Sequence, residues 1–133
     1  MIVVEASAMV DALVGSPAIP QLLATIADED LHAPALLDFE VASALRGHLL
    51  AGKLNPTRCG EATEDFAALH IERHQMTSLL GHVLALRDNF TVYDAAYVVL
   101  AQALDAPLVT SDLKMREAER VGVTVQIHRP PDR

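Results

Sequence analysis

Short β-branched runs alternate along this chain with longer stretches whose apolar residues recur at helical spacing. The first run, Ile-Val-Val at positions 2–4, has the composition of a buried strand and ends at Glu5. Ser7 is a suitable N-cap for the apolar stretch 8–14, which Gly-Ser-Pro at 15–17 closes. The beginning of the chain therefore predicts a strand, a turn and a helix.

The same alternation continues to the end of the chain. Pro34 suits the first turn of a long helix, and Thr91 begins the helix with the strongest apolar pattern. Alternating short strands and helices indicate an α/β domain with a parallel sheet covered on both faces. The predicted helices are 18–27, 34–51, 55–68, 78–86, 91–105 and 112–120, and the further strands are 31–33, 69–72, 108–110 and 123–127.

Composition favours one domain with a sizeable core. Of the 133 residues 51% are hydrophobic, and no Pro/Gly/Ser-rich linker divides them, so we expect a single domain over residues 1–133. The apolar runs are too short and interrupted for a membrane span or a secretion signal. A single cysteine, Cys59, allows no internal disulfide, which fits a reducing compartment and predicts a cytoplasmic protein.

The acidic balance restricts how the protein can bind nucleic acid. A formal net charge of −8 argues against a broad basic surface that displaces counterions from a phosphate backbone. A cation held in a carboxylate pocket would reverse the sign of the charge locally. Any action on nucleic acid is therefore expected to depend on a local site.

Four acidic residues are candidates for such a site: Glu5, Glu40, Asp94 and Asp112. Glu5 directly follows the first strand and Asp112 follows another, so both should reach the edge of the sheet where parallel strands end. Three of the four also have ordinary structural explanations. Glu5 would favour a helix N-terminus, Asp94 would complete a capping box begun at Thr91, and Asp112 would serve as an N-cap.

Glu40 is the most informative of the four acids. It lies between Phe39 and Val41, near the apolar face of its predicted helix, where a carboxylate must be paired, protonated or bound to metal. Mg²⁺ and Mn²⁺ prefer oxygen ligands, and Mg²⁺ commonly combines a few carboxylates with substrate phosphate oxygens. Such an ion can activate a water molecule and neutralise charge developing on a phosphodiester.

Four segments in order along the chain resemble the PIN-domain ribonuclease toxins of the VapC type. The resemblance spans nearly the whole chain, and the joint signal is stronger than any one segment. The segments are Ile-Val-Val-Glu-Ala-Ser-Ala at 2–8, Ala-Leu-Leu-Asp-Phe-Glu-Val-Ala-Ser-Ala-Leu-Arg at 35–46, Thr-Val-Tyr-Asp-Ala-Ala-Tyr-Val-Val-Leu-Ala at 91–101 and Pro-Leu-Val-Thr-Ser-Asp at 107–112.

The resemblance implies a three-layer α/β/α fold with a five-stranded parallel sheet and a Mg²⁺- or Mn²⁺-dependent endoribonuclease site. It makes Glu40, Asp94 and Asp112 catalytic, metal-binding acids, and it gives Asp94 or Asp112 the role of orienting or deprotonating the attacking water. It implies an RNA substrate, a VapB-type antitoxin and a homodimer. It further places the hydroxyl groups of Ser7 and Thr110 beside the metal site, and Arg46 and Arg87 at the rim, in contact with RNA or the antitoxin.

Glu5 departs from the family pattern, which has aspartate at the first acidic position. Glutamate retains the charge but adds a methylene, or about 1.5 Å of reach. Mg²⁺ tolerates little error in ligand geometry. We therefore expect Glu5 to be a metal ligand that lowers activity, and the alternative is a weakened or inactive PIN-fold module that acts mainly by binding an antitoxin.

Other patterns were weighed against this interpretation. His70 and His74 have helical zinc-ligand spacing, but they do not form a His-Glu-x-x-His motif, so zinc is disfavoured there. Tyr93 and Tyr97 are better explained by core or dimer packing than by another partner. A phosphoacceptor receiver domain needs paired acids after its first strand and a lysine after its last, whereas Lys114 lies within a predicted helix.

Overall fold

A computed structural model describes residues 1–130 and contains a five-stranded, all-parallel sheet in the order β3-β2-β1-β4-β5. The five strands are β1 Ile2–Val4, β2 Leu31–Pro34, β3 Ile71–His74, β4 Leu108–Thr110 and β5 Val125–Ile127. The α-helices are α1 Ala6–Val14, α2 Pro20–Asp28, α3 Leu37–Leu50, α4 Pro56–Ala68, α5 Leu80–Ala85 and α6 Val92–Leu104, and 3-10 helices span Thr77–Leu79 and Leu113–Val121.

The helices and the sheet form three layers, as the resemblance implied. Helix α1 packs against β4 and contacts α2, α3 and α4, whereas α6 packs against β1 and β2 and contacts α5. The central strands β1 and β4 and nearly all of α6 are buried, which matches their near-continuous apolar sequence. The prediction of a three-layer α/β/α fold with five parallel strands is confirmed.

Several element boundaries differ from the sequence prediction. Pro34 is the last residue of β2 rather than the first turn of a helix, and α3 begins at Leu37. Proline completes the strand because its carbonyl-side neighbour takes over the pairing: the Ala35 N–H donates to the His74 carbonyl at 2.9 Å. Strand β3 begins at Ile71, two residues later than the predicted start at Leu69.

Strand register places the two candidate acids of the sheet edge side by side. Val4 of β1 pairs with Val109 of β4, and the Glu5 N–H donates to the Val109 carbonyl at 2.9 Å. The residues that follow these neighbouring strands therefore leave the sheet at the same edge. Glu5 and the segment 110–112 are brought together by backbone pairing alone.

Two expectations concern the chain as a whole. Among residues 1–130, no helix is long and apolar enough to cross a membrane. The single domain over residues 1–133 stays a prediction, and residues 131–133 lie outside the part of the chain that the structure describes.

Candidate active site

Glu5 lies at the junction of β1 and α1, with its carboxylate fixed by hydroxyl and backbone donors. Its Oε2 accepts hydrogen bonds from the Ser7 N–H at 3.0 Å, from the Ser7 hydroxyl and from the Thr110 hydroxyl at 2.9 Å. Glu5, rather than Ser7, is the N-cap of α1. Both hydroxyl residues therefore contact the acid beside which the resemblance placed them.

Burial decides the ionisation of Glu5. The residue is only 7% exposed, and this desolvation raises the pKa of its carboxyl group. Hydrogen bonds from Ser7 and Thr110 oppose that rise, while the negative charge of Asp94 adds to it. A cation near Glu5 would remove the electrostatic cost of keeping this carboxylate ionised.

The loop after β4 joins the same hydrogen-bond network. The Ser111 N–H donates to the Ser7 hydroxyl and the Asp112 N–H donates to the Thr110 hydroxyl, both at 3.0 Å. Asp112 is also the N-cap of the 3-10 helix that follows, because its Oδ1 accepts from the Lys114 N–H at 3.1 Å. The capping role and a role in the site are compatible, since Oδ2 points to another partner.

That partner is the side chain of Lys114, which lies between two of the candidate acids. Its ammonium nitrogen is 3.4 Å from Asp94 Oδ2 and 3.5 Å from Asp112 Oδ2. The charge of Asp94, and then that of Asp112, raises the pKa of Lys114. The two carboxylates thus already share one positive charge, which indicates that the pocket attracts cations.

Asp94 combines a structural position with this second contact. Its backbone N–H donates to the Thr91 hydroxyl at 3.1 Å, which is the expected N-cap of α6. Its carboxylate is directed to Lys114 instead of returning to the Thr91 N–H. Only the threonine half of the predicted capping box is formed, and the acidic half is available to the site.

Glu40 reaches the site from α3 and is held by a tyrosine of α6. The Tyr97 hydroxyl donates to Glu40 Oε1 at 2.7 Å, and Tyr97 is fully buried. Burial, together with the hydrogen bond to Glu40 and its charge, raises the pKa of Tyr97 far above its ordinary value, so the phenol remains a donor. Tyr97 is a core residue, as expected, and in addition it orients an acid.

An open cleft of about 440 Å³ joins these residues. Ser7, Glu40 and Asp112 line it, together with Ser111, whose buried hydroxyl oxygen has no hydrogen-bond partner. Arg129 contributes the positive charge of the lining, and its guanidinium donates to the Ser111 carbonyl at 3.1 Å. The cleft therefore offers oxygen ligands on one side and a cationic group on another.

The structure does not bring the two predicted rim arginines into this cleft. Among the described residues, Arg46 and Arg87 are both exposed, neither lines the cleft, and Arg87 donates to the Leu84 carbonyl at 3.1 Å. Their contact with RNA or an antitoxin stays a prediction. Sequence analysis overlooked Arg129, although it follows β5 as Glu5 follows β1, and the same strand-end argument would have found it.

Comparisons with known proteins were consistent with this arrangement. The family model described as PIN domain matches residues 2–121. Ribonuclease VapC9 of Mycobacterium tuberculosis is 38% identical over 127 residues, covering 96% of this chain and 98% of the relative. Ribonuclease VapC1 of the same species is 36% identical over 129 residues, covering 96% and 97%.

Two solved structures have a similar fold. PAE2754 from Pyrobaculum aerophilum superposes with a TM-score of 0.70 at 19% identity, covering 93% of this chain and 87% of its own. VapBC2 from Rickettsia felis, crystallised with a DNA fragment from their promoter, superposes with a TM-score of 0.67 at 13% identity, covering 97% and 100%. At these identities the two likenesses concern the fold.

Proposed function

The chain belongs to the PIN domain family as a VapC-type member, and on that premise we propose that it is a Mg²⁺- or Mn²⁺-dependent endoribonuclease, the toxin of a cytoplasmic toxin-antitoxin pair. The observation that carries the proposal is the convergence of four acids on one sheet edge, around a lysine that already neutralises two of them. Curated VapC ribonucleases more than a third identical over nearly the whole chain support the same activity.

The donor set suits a hard divalent cation. Glu5, Glu40, Asp94 and Asp112 offer carboxylate oxygens, and the described part of the site supplies no imidazole or thiolate among them, so Mg²⁺ or Mn²⁺ fits better than a softer metal. Oε2 of Glu5 is occupied by Ser7 and Thr110, which leaves Oε1 as the oxygen for the ion. When bound, the ion would supply positive charge beside the scissile phosphate and lower the pKa of a water molecule.

The remaining side chains have roles in positioning and charge. Ser7 and Thr110 fix the direction of the Glu5 carboxylate, and the Tyr97 hydroxyl does the same for Glu40. Lys114 must leave the space between Asp94 and Asp112 when a metal ion enters. Arg129 is the cleft residue best suited to bind an RNA phosphate, because its guanidinium is permanently charged and can donate two parallel hydrogen bonds.

The substitution Asp94→Asn tests the proposal directly. It keeps the shape of the side chain and the backbone cap to Thr91, but removes one negative charge, so we expect RNA cleavage to fall by a factor of at least about 100 while the fold is retained. Cleavage of single-stranded RNA in Mg²⁺ or Mn²⁺ would be measured beside thermal unfolding. A folded, fully active, metal-dependent Asp94→Asn protein would refute the assigned site.

A second candidate function is an inactive PIN-fold module that acts by binding an antitoxin. Burial of Glu5, which occupies the position where the family has aspartate, favours this alternative, since desolvation raises the pKa of its carboxyl group and weakens it as a ligand. Titration with Mn²⁺ separates the two candidates. A saturable site that Asp94→Asn removes supports the nuclease, and the absence of any saturable site supports the module.

The antitoxin partner is proposed to dock beside the active site. A groove of about 490 Å³ lies next to the acidic cleft, and both are lined by Glu40 and Ala44. Phe39 and Tyr93 form its exposed apolar part, with 80% and 63% of their surfaces accessible. An antitoxin segment bound there could cover Glu40, and the homodimer that the family implies would be tested by the mass of the protein in solution.

A further inference from the structure

A second cluster of metal-ligating side chains lies away from the acids, where β2 pairs with the edge strand β3. His32 is level with Glu72 in the parallel register, and Pro34 is level with His74, so three polar side chains converge on two strands. His32 Nδ1 is 2.8 Å from His74 Nε2 and 3.7 Å from Glu72 Oε2, and all three ligand atoms lie within 4.8 Å of one another.

The surroundings of His32 orient its ring toward this cluster. Its other nitrogen, Nε2, is 2.9 Å from Asp30 Oδ2. The hydrogen bond from His32 lowers the pKa of Asp30, so the carboxylate is ionised near neutral pH and can only accept. Nε2 of His32 must therefore carry a proton, and in the neutral ring Nδ1 then presents a lone pair to His74.

This arrangement is the one that proteins use to hold histidine-bound metals. A metal-ligating histidine almost always donates its second N–H to a carboxylate or carbonyl, which fixes the tautomer and strengthens the ligand. Asp30 has that relation to His32, whose side chain is only 8% exposed. Glu72 and His74 are more accessible, which leaves a route for an ion from solvent.

We propose that His32, Glu72 and His74 bind one divalent transition-metal ion of the zinc class, at a site separate from the active site. Two imidazole nitrogens and one carboxylate oxygen suit Zn²⁺, whereas the oxygen-only active site suits Mg²⁺ or Mn²⁺. Within residues 1–130, none of the three residues lines the acidic cleft. Three protein ligands leave a fourth position for water.

The geometry needs only a small adjustment to accept the ion. Metal–ligand bonds of about 2.0–2.1 Å in a tetrahedral site put ligand atoms roughly 3.3 Å apart. The histidine nitrogens would move apart by about half an ångström from their hydrogen-bonded separation, and the Glu72 oxygen would move closer to His32. The proton now shared between the rings would pass to Nδ1 of His74 or to water.

Such an ion would join the edge strand to its neighbour. Residue Arg73, which alternates with Glu72 and His74 along β3, already pairs with Asp38 of α3, with its Nε 2.9 Å from Asp38 Oδ1. A metal on the other face of β3 would fix the strand from both sides. Binding to the folded chain alone would raise Tm by several degrees, on the order of 5–10 °C at 100 times the dissociation constant.

The test is a Zn²⁺ titration of tag-free protein by calorimetry, with millimolar Mg²⁺ present to occupy the active site. We expect one ion per chain and weaker binding as pH falls below about 6.5, because protons compete for the imidazole nitrogens. Asp30→Asn should weaken binding about tenfold, and His74→Gln or Glu72→Gln by more than that. Substitution of the Zn²⁺ by Co²⁺ should give the visible absorption bands of a tetrahedral site.

Two control variants separate this site from its rivals. His70→Gln removes an exposed histidine four residues before His74, and Asp94→Asn removes an active-site acid, so both should bind Zn²⁺ as the unmodified protein does. The proposal is overturned if the unmodified protein has no saturable site or if His74→Gln and Glu72→Gln bind normally. Loss of binding in His70→Gln or Asp94→Asn would also overturn it, because the ion would then lie elsewhere.

Discussion

At Glu5 the two carboxylate oxygens have different surroundings. Oε2 accepts from Ser7 and Thr110, so the hydroxyl network fixes the direction in which Oε1 points. The longer side chain therefore does not disorder the carboxylate, but it does place the free oxygen farther from β1 than aspartate would, by about 1.5 Å. The effect of the residue on activity becomes a question of the ion's position.

Glu5→Asp tests that question. We expect tighter Mn²⁺ binding and faster RNA cleavage, each by several-fold, because the shorter side chain restores the ligand distance for which the other three acids are placed. Calorimetric Mn²⁺ titration and single-turnover cleavage would measure the two effects. Glu5→Gln, which keeps the length and removes the charge, is the control and should lose both properties; no gain in Glu5→Asp would remove the premise.

Lys114 could not have been assigned from the sequence, because its contact depends on two elements. The 3-10 helix that Asp112 caps turns its side chain toward the N-terminus of α6, where Asp94 lies. Sequence spacing related Lys114 to Asp112 but gave no relation to Asp94. The tertiary packing of α6 therefore supplied this part of the site.

Removal of the Lys114 charge should strengthen metal binding. In Lys114→Met the ion no longer has to displace an ammonium group from Asp94 and Asp112, so we expect the Mn²⁺ dissociation constant to fall by about threefold to tenfold, an effect of the size of an exposed ion pair. Arg116→Met is the matched control, since it removes the same charge from the same helix but pairs with Glu119. Equal affinities in the two variants would contradict displacement.

At the scale of elements, strand ends and apolar stripes predicted most of the site. Glu5 and Asp112 were found because parallel strands end at one edge, and Glu40 because a carboxylate near an apolar helix face needs a partner. The partner of Glu40, Tyr97, lies on another helix and was assigned only to packing. The boundary at Pro34 was wrong because the preference of proline for helix starts competed with its tolerance at strand ends.

Helices α3 and α6 also form the groove proposed for the antitoxin. Phe39→Asp would introduce a charge into its apolar wall, and we expect the affinity for a VapB-type C-terminal segment to fall at least about tenfold with little change in Mn²⁺ binding. Leu50→Asp is the control, because Leu50 is 71% exposed on the same helix but outside the groove. If Phe39→Asp instead dissociates a dimer and leaves antitoxin binding intact, the groove is a dimer contact.

For the whole molecule, a net charge of −8 makes RNA binding dependent on a few cationic groups. In the Asp94→Asn background, which prevents cleavage, the affinity for single-stranded RNA should therefore change little with salt. Arg129→Gln should weaken binding and reduce the slope of log affinity against log salt by about 0.7, the contribution of one phosphate contact. Arg46→Gln and Arg87→Gln are the comparisons, and if they lower the slope while Arg129→Gln does not, the rim arginines are the contacts.

The position of Lys114 has a consequence for the resting protein. An ammonium group attached to the chain cannot be diluted away, so it competes with dissolved metal at an effective concentration that does not depend on the cell's ion content. Loading of the site is therefore an exchange reaction between a tethered monovalent cation and a free divalent one. The enzyme's response to metal should have a threshold set by the covalent structure, below which the lysine keeps the carboxylates neutralised and the chain folded but silent.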